Sequence, residues 1–190
     1  MATISRIGFG QVEPNHLSAQ RTGQIYAQLP AEASIEQLEN GQFVKYDYAK
    51  GVVDFTGEGE WMMVFNEVKL YDGWRESYKD FAMIKDNYTP GSDNITHDGL
   101  GPFPGQMTPR VIKTNVGDIY TTNAVGGPNT SRKAEYAGIE LVVGDTLSPQ
   151  ASDGFLVKGG TPAEGDPVFQ VVKVYTMPDG QPAVKLMRIK

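Results

Sequence analysis

The chain has 190 residues, of which 39% are hydrophobic and 21% charged, and its net charge at pH 7 is −6. This amount of apolar material can build a hydrophobic core, which excludes wholesale disorder. The net charge is negative and no concentrated cluster of basic residues is visible, so nucleic acid is not an expected partner. Cysteine is absent and the two histidines, His16 and His97, are far apart. These counts exclude disulfides and thiol chemistry and make an imidazole-rich metal site unexpected. We therefore predict no cofactor and no metal.

The sequence contains no recognisable targeting or membrane segment. Residues 1–10 lack the continuous apolar stretch of a signal peptide. The longest strongly apolar run, residues 61–65, is much too short to span a bilayer. The expectation is a protein that is made and kept in the cytoplasm, or that becomes part of something assembled there, with no membrane partner.

Residues 1–33 show neither a period of 2 nor a period of 3.6 for long. Glycine, proline and polar residues separate their apolar side chains, so the segment is not expected to bury much of itself. It is predicted to be an extended arm, either held by a neighbouring molecule or lying across its own domain. The apolar residues expected to bind a partner are Ile4, Ile7, Phe9, Val12, Leu17, Ile25, Tyr26 and Leu29.

Residues 34–109 are predicted to form a β-rich central lobe with one short helix. Ser34 and Gln37 have the spacing of a capping box, and Asn40-Gly41 is a stop signal, so a helix is expected between them. Alternating aromatic and β-branched residues after it predict strands. Residues 86–109 are rich in glycine and proline and are predicted to be a long loop, a feature typical of functional or partner-bound segments.

Large aromatic residues recur in the central lobe. If they are exposed, they form a sugar-stacking platform or a protein contact surface. If they are buried, they form the core of the lobe, which is the favoured interpretation because large aromatics dominate burial. The residues are Trp61, Phe65, Tyr71, Trp74, Tyr78 and Phe81.

Residues 110–190 are predicted to be a C-terminal β-barrel or sandwich lobe, because short strands alternate with turn signals every ten or so residues. Two Val-Gly-Asp turns, at residues 116–118 and 143–145, occupy similar strand–turn–strand settings and form a weak internal repeat. The clearest predicted hairpin flanks Pro178-Asp179-Gly180.

The sequence carries no specific catalytic signal, and we expect no enzymatic activity. Asp54, Glu58 and Glu60 are the nearest approach to paired carboxylates, but nothing local would separate their pKa values. Asp93 and Asp98 only faintly suggest a calcium loop, because their spacing does not fit an EF-hand. No serine lies in a nucleophile-elbow context.

Residues 3–30, together with the C-terminal Gly-Asp-Thr-Leu-Ser-Pro and the later Gly-Asp-Pro-Val-Phe-Gln-Val-Val-Lys-Val, resemble the capsid decoration, or cement, proteins of tailed bacteriophages. The resemblance covers most of the chain. It implies a structural virion protein that binds the capsid surface and stabilises capsomer junctions. The implied partners are the major capsid protein and neighbouring copies of this chain, for instance in a trimer. The alternative is a head- or tail-fibre-associated or carbohydrate-binding β module.

Overall fold

The computed structural model describes residues 1–66, 82–84, 107–128 and 135–190. In this described part of the chain, strands account for 44% and helix for 4%, so the predicted mainly β class is confirmed. All pairings between the named strands are antiparallel. No helix within these ranges is long and apolar enough to cross a bilayer.

The largest sheet has six strands in the order β13-β12-β14-β15-β10-β2. Its centre is the predicted C-terminal hairpin, in which β14 and β15 pair along most of their length around Pro178-Asp179-Gly180. This hairpin prediction is confirmed. The strands are β2 (Val12–His16), β10 (Ile119–Thr122), β12 (Thr146–Pro149), β13 (Leu156–Lys158), β14 (Phe169–Thr176) and β15 (Pro182–Arg188).

The second sheet has five strands in the order β3-β9-β7-β5-β6. Most of its residues come from the apolar runs that the sequence predicts as strands. All three residues of β7 are buried, which agrees with the continuous apolar character of that run. The strands are β3 (Ile25–Tyr26), β5 (Phe43–Asp47), β6 (Val52–Asp54), β7 (Met62–Val64) and β9 (Val111–Ile112).

Two strand pairs complete the described structure. In one, β1 (Ala2–Ile7) pairs with β11 (Glu135–Leu141), and in the other β4 (Gln37–Glu39) pairs with β8 (Ala82–Ile84). A β-bulge interrupts the first pair near Gly138, whose φ is 76°. A Cβ there would lie 2.6 Å from the carbonyl oxygen of Ile4, so only glycine allows this approach.

The short helix lies outside the segment where the sequence predicts it. Ser34 falls in a turn, and the predicted helix is replaced by β4, in which Leu38 is fully buried. A segment this short gains little from helix formation alone, so pairing with β8 and burial decide its structure. The observed helix is α1 (Ser18–Thr22), which ends at Gly23 with a φ of 69°. The Asp118 carboxylate accepts a hydrogen bond from the Ser18 backbone N–H at 3.0 Å, at the start of α1.

The prediction that residues 1–33 bury little of themselves is wrong. The segment contributes β1, β2 and β3 to three different sheets of the same molecule. Each of these short strands needs only one or two apolar side chains to join an existing core, which explains why no continuous periodicity is visible. The structure therefore agrees with the alternative in which the arm lies across its own domain.

The N- and C-terminal parts of the chain share a hydrophobic core. Ile4, Leu17 and Phe43 pack in one buried cluster with Phe169 and Leu186. The strand pairs β2–β10 and β3–β9 also cross the predicted region boundaries. The division into 1–33, 34–109 and 110–190 stays a prediction.

Several predictions concern residues outside the described ranges. They include the greater part of the long loop, residues 86–106, and the weak calcium-loop candidates Asp93 and Asp98. Four of the central aromatic residues also fall there: Tyr71, Trp74, Tyr78 and Phe81.

Candidate functional site

Seven of the eight residues predicted to bind a partner contribute instead to the packing of their own molecule. Ile4, Phe9 and Leu17 are buried. The exception is Ile7, whose side chain is 60% exposed. The four partly buried residues that pack against the core clusters are Val12, Ile25, Tyr26 and Leu29. Ile7 is the most exposed residue of the predicted set, and the partner-binding role of these residues stays a prediction.

A buried ion pair fixes β1 to the central part of the chain. The Arg6 guanidinium lies 3.1 Å from the Glu39 carboxylate, and both side chains are fully buried. Glu39 also accepts a hydrogen bond from the Gly10 backbone N–H at 2.7 Å. The same carboxylate thus holds two points of the N-terminal segment.

The remaining donors of Arg6 are directed at the backbone. Its terminal nitrogen donates to the Gly127 carbonyl at 2.7 Å, and the guanidinium lies 4.4 Å from the centre of the Tyr136 ring. Burial lowers the pKa of Arg6, while the Glu39 carboxylate opposes that shift. The charge is compensated inside the molecule, so this pair serves the fold and is not aimed at a ligand.

Three turns share one hydrogen-bond pattern. In each, the N–H of the fourth residue, an aspartate, donates to the carbonyl of the first residue. The aspartate carboxylate in turn accepts from the N–H of the first residue. The third residue is a glycine with φ of 92°, 96° or 89°, as a type II turn requires. The turns are residues 115–118, 142–145 and 163–166.

All three turns lie at the open end of the β14–β15 hairpin. The Gly117 N–H donates to the Arg188 carbonyl and the Gly144 N–H donates to the Val171 carbonyl, both at 2.8 Å. Arg188 pairs with Phe169, so these contacts flank the same end of the hairpin from its two sides. The third turn leads directly into β14. We call the three turns, together with residues 189–190, the hairpin-end surface.

This surface presents apolar side chains to solvent. Val116 and Val143 occupy the second position of their turns and are 68% and 63% exposed. Ile189, also exposed, follows Arg188 and lies beside the first turn. Met1 lies beside the second turn, because Ala2 pairs with Leu141. Exposed apolar groups on hydrogen-bonded turns are suited to contact a protein without further ordering.

The turn carboxylates are used within the molecule. The Lys158 ammonium group lies 2.8 Å from the Asp145 carboxylate and, with the Val142 N–H, lowers the pKa of Asp145. Asp118 accepts hydrogen bonds from Ser18 and Asn115. These aspartates therefore fix the turns.

Two of the three candidate catalytic carboxylates, Asp54 and Glu60, are similarly engaged. Burial alone would raise the pKa of Asp54, but hydrogen bonds from the Gly57 N–H and the Lys50 ammonium group outweigh it and lower the pKa. Glu60 lies 2.8 Å from the Lys113 ammonium group. In the described part of the chain, no three histidine or acidic side chains come together as a metal site would require.

The described aromatic residues do not form an exposed row. Trp61 is buried, with 3% of its surface exposed, and Phe65 is partly buried against the core. Their predicted role as core is confirmed. Tyr48 is the exposed exception and stacks edge-to-face with Tyr46 at 5.7 Å.

No family model, curated protein or solved structure matches this chain. Its resemblance to capsid decoration proteins therefore stays a prediction.

Sequence reasoning missed both Arg6 and the third turn. Arg6 has a weak signal, because it stands two residues after Ile4 and so shares the core-facing side of a strand. The third turn has a clearer one: residues 163–166 repeat the Gly-Asp ending of the two Val-Gly-Asp turns. Their common location at one end of a hairpin depends on strand register, which the sequence does not reveal.

Proposed function

We propose that this chain is a structural virion protein that binds the outer surface of a tailed-phage capsid and stabilises the junctions between capsomers. Its partners in this proposal are the major capsid protein and neighbouring copies of itself. The proposal has no enzymatic step. The resemblance of the sequence to decoration proteins suggests it.

The observation that carries the proposal is the hairpin-end surface. Val116, Val143 and Ile189 are exposed on backbone that the aspartate turns and hairpin already hold in place. A prefolded apolar surface binds without the entropic cost of ordering loops. Specific interfaces commonly bury about 1,600 Å² in total, and many symmetry-related copies increase the effect of each contact through avidity.

The mode of attachment differs from that of an arm paired with a neighbour. β1, β2 and β3 already pair with β11, β10 and β9 of their own molecule. Their main-chain hydrogen-bonding groups on the paired sides are thus already used within the molecule. These pairs would have to break before the strands could join the sheet of a partner. In the proposed mechanism, the body docks as a folded unit.

The test of this function begins with particles from cultures that carry this coding sequence. The chain is quantified by mass spectrometry in purified particles, and its position is located by electron cryomicroscopy. The proposal predicts a fixed ratio of this chain to the most abundant shell protein, with density on the outer surface. Absence of the chain from the particles, or a position on the tail or in the interior, would contradict it.

A second experiment tests the surface. Particles stripped of the chain are incubated with the Val116→Asp/Val143→Asp variant, and bound protein is measured after sedimentation. Introducing two charges into an apolar contact is expected to weaken binding by about 100-fold or more. Tyr48→Asp/Ala151→Asp is the matched control, since it adds two charges at exposed sites outside that surface. Equal binding of both variants would show that the hairpin-end surface does not contact the capsid.

A further inference from the structure

A β-bulge determines which way Lys173 faces on the hairpin. Val171 pairs with Leu186, and both are fully buried. In a regular strand, Lys173 would share the core-facing side with Val171, because side chains alternate. The register shifts between Val171 and Lys173, and the extra residue places Lys173 opposite Lys185.

Lys185 faces away from the core, because its neighbours Val184 and Leu186 are both fully buried. The bulge therefore brings two lysines together on the outer face of the sheet. Like charges directly opposite each other destabilise a strand pair. In a regular register Lys173 would instead lie opposite Val184, on the core-facing side of the sheet.

The same face carries Tyr175, which shares the outward side of β14 with Lys173. The two lysine ammonium nitrogens lie 5.9 and 5.8 Å from the centre of its ring. Among the described residues, no carboxylate lies within 4.0 Å of either ammonium group. Along the paired row, Lys185 is opposite Thr121, and Thr121 is opposite Glu13. Glu13 is thus two strands from Lys185, with about 10 Å between the two backbones.

We propose that Lys173, Lys185 and Tyr175 form a binding site for the carboxylate of an acidic segment on a partner protein. The ammonium groups of two directly opposed lysines can donate charge-assisted hydrogen bonds to one carboxylate. The bound carboxylate would also relieve the repulsion between the lysines. Tyr175 provides an aromatic surface that holds both side chains over the site.

The site is too small for nucleic acid. Binding to a phosphate backbone depends on several neutralised phosphates, whereas this pair offers contacts to one or two. A single acidic side chain or a short acidic segment matches the number of donors available.

The site lies on the outer face of the hairpin, away from the hairpin-end surface, and the inference holds whether or not the chain belongs to a capsid. The full chain, labelled with ¹⁵N, is titrated with a hexaglutamate peptide and observed by NMR. We expect saturable shifts confined to the amides of residues 172–176 and 184–186. Their magnitude should fall strongly in 0.5 M salt, where the Debye length is only about 4–5 Å.

Lys173→Gln/Lys185→Gln is expected to weaken the binding of hexaglutamate at least tenfold by removing both charged donors. Arg21→Gln/Lys50→Gln is the control that removes two charges elsewhere. Shifts that persist in the first variant, or that spread equally over the surface, would overturn the proposal. Tighter binding of a thymidine oligonucleotide than of hexaglutamate would assign the site to nucleic acid and overturn it as well.

Discussion

The N-terminal segment and the C-terminal hairpin enter the same hydrophobic core in different ways. The hairpin pairs locally around Pro178-Asp179-Gly180, and Phe169 and Leu186 enter the core from its two strands. The N-terminal segment pairs only with distant strands: Ala2 lies opposite Leu141, and Ile25 opposite Ile112. The register of the hairpin is therefore set mostly by its own residues. The register of the N-terminal strands is set by the distant strands with which they pair.

This difference affects how each region is stabilised. The hairpin relies on apolar cross-strand packing, including the contact between Phe169 and Tyr120 with ring centres 5.7 Å apart. The N-terminal segment adds a buried ion pair and backbone-to-side-chain hydrogen bonds, notably those converging on Glu39. Polar contacts of this kind hold a segment with few apolar residues in one register.

The largest expected effect follows deletion of residues 1–30. If the segment were an arm that buries little of itself, the remaining body would stay folded without it. The structure predicts the opposite, because the deletion exposes the partner edges of three sheets and leaves Glu39 buried without its guanidinium. Loss of the near-ultraviolet circular dichroism signal and of a cooperative melting transition is expected. A truncated chain that melts cooperatively near the parent temperature would contradict this.

Arg6→Ala tests the ion pair alone. Removing one partner of a buried pair leaves an uncompensated charge, so the free energy of unfolding should fall by about 3–5 kcal/mol, measured by urea denaturation. Arg6→Met/Glu39→Gln should recover part of this loss. As a surface control, Lys113→Ala breaks the pair with Glu60 and should cost no more than about 1 kcal/mol. Similar losses for Arg6→Ala and the control would refute the role given to the buried pair.

Phe169→Ala and Ile4→Ala compare the two regions directly, since both side chains are fully buried in one cluster. Phe169→Ala should cost about 3–5 kcal/mol and Ile4→Ala about 2–5 kcal/mol. Equilibrium unfolding measures both. If Ile4→Ala has no effect while Phe169→Ala destabilises, the N-terminal strand does not belong to the core in solution.

The sequence predicts the hairpin well because its determinants are local: alternating β-branched residues and an Asp-Gly turn. It predicts the N-terminal segment poorly because β1, β2 and β3 pair with three separate strands, and no single period connects the buried residues Ile4, Phe9 and Leu17. The prediction at Ser34 and Gln37 is wrong for the opposite reason. The local sequence there favours a helix, but pairing with the distant strand β8 makes the segment a strand. The bulge that turns Lys173 outward depends on the partner strand, so sequence alone does not place it beside Lys185.

The smallest expected effect concerns the turn at residues 142–145. The pKa of Asp145 is lowered in the folded state, so its carboxylate stabilises the protein above its unfolded pKa, and this contribution disappears as pH falls through the folded pKa. Asp145→Asn should therefore lower the melting temperature slightly between pH 5 and 7, and the difference from the parent should shrink below about pH 4. A difference that is independent of pH would show that the carboxylate charge is not involved.

Hydrogen exchange of the isolated chain tests most directly whether the N-terminal segment is part of the folded body. The backbone amides of β1 and β2 that bond to β11 and β10 are followed by NMR alongside those of β14. Slow exchange is expected in all three strands at a concentration where the chain is monomeric. Rapid exchange in β1 and β2, with protection kept in β14, would mean that the N-terminal segment is a free arm and not part of the folded body.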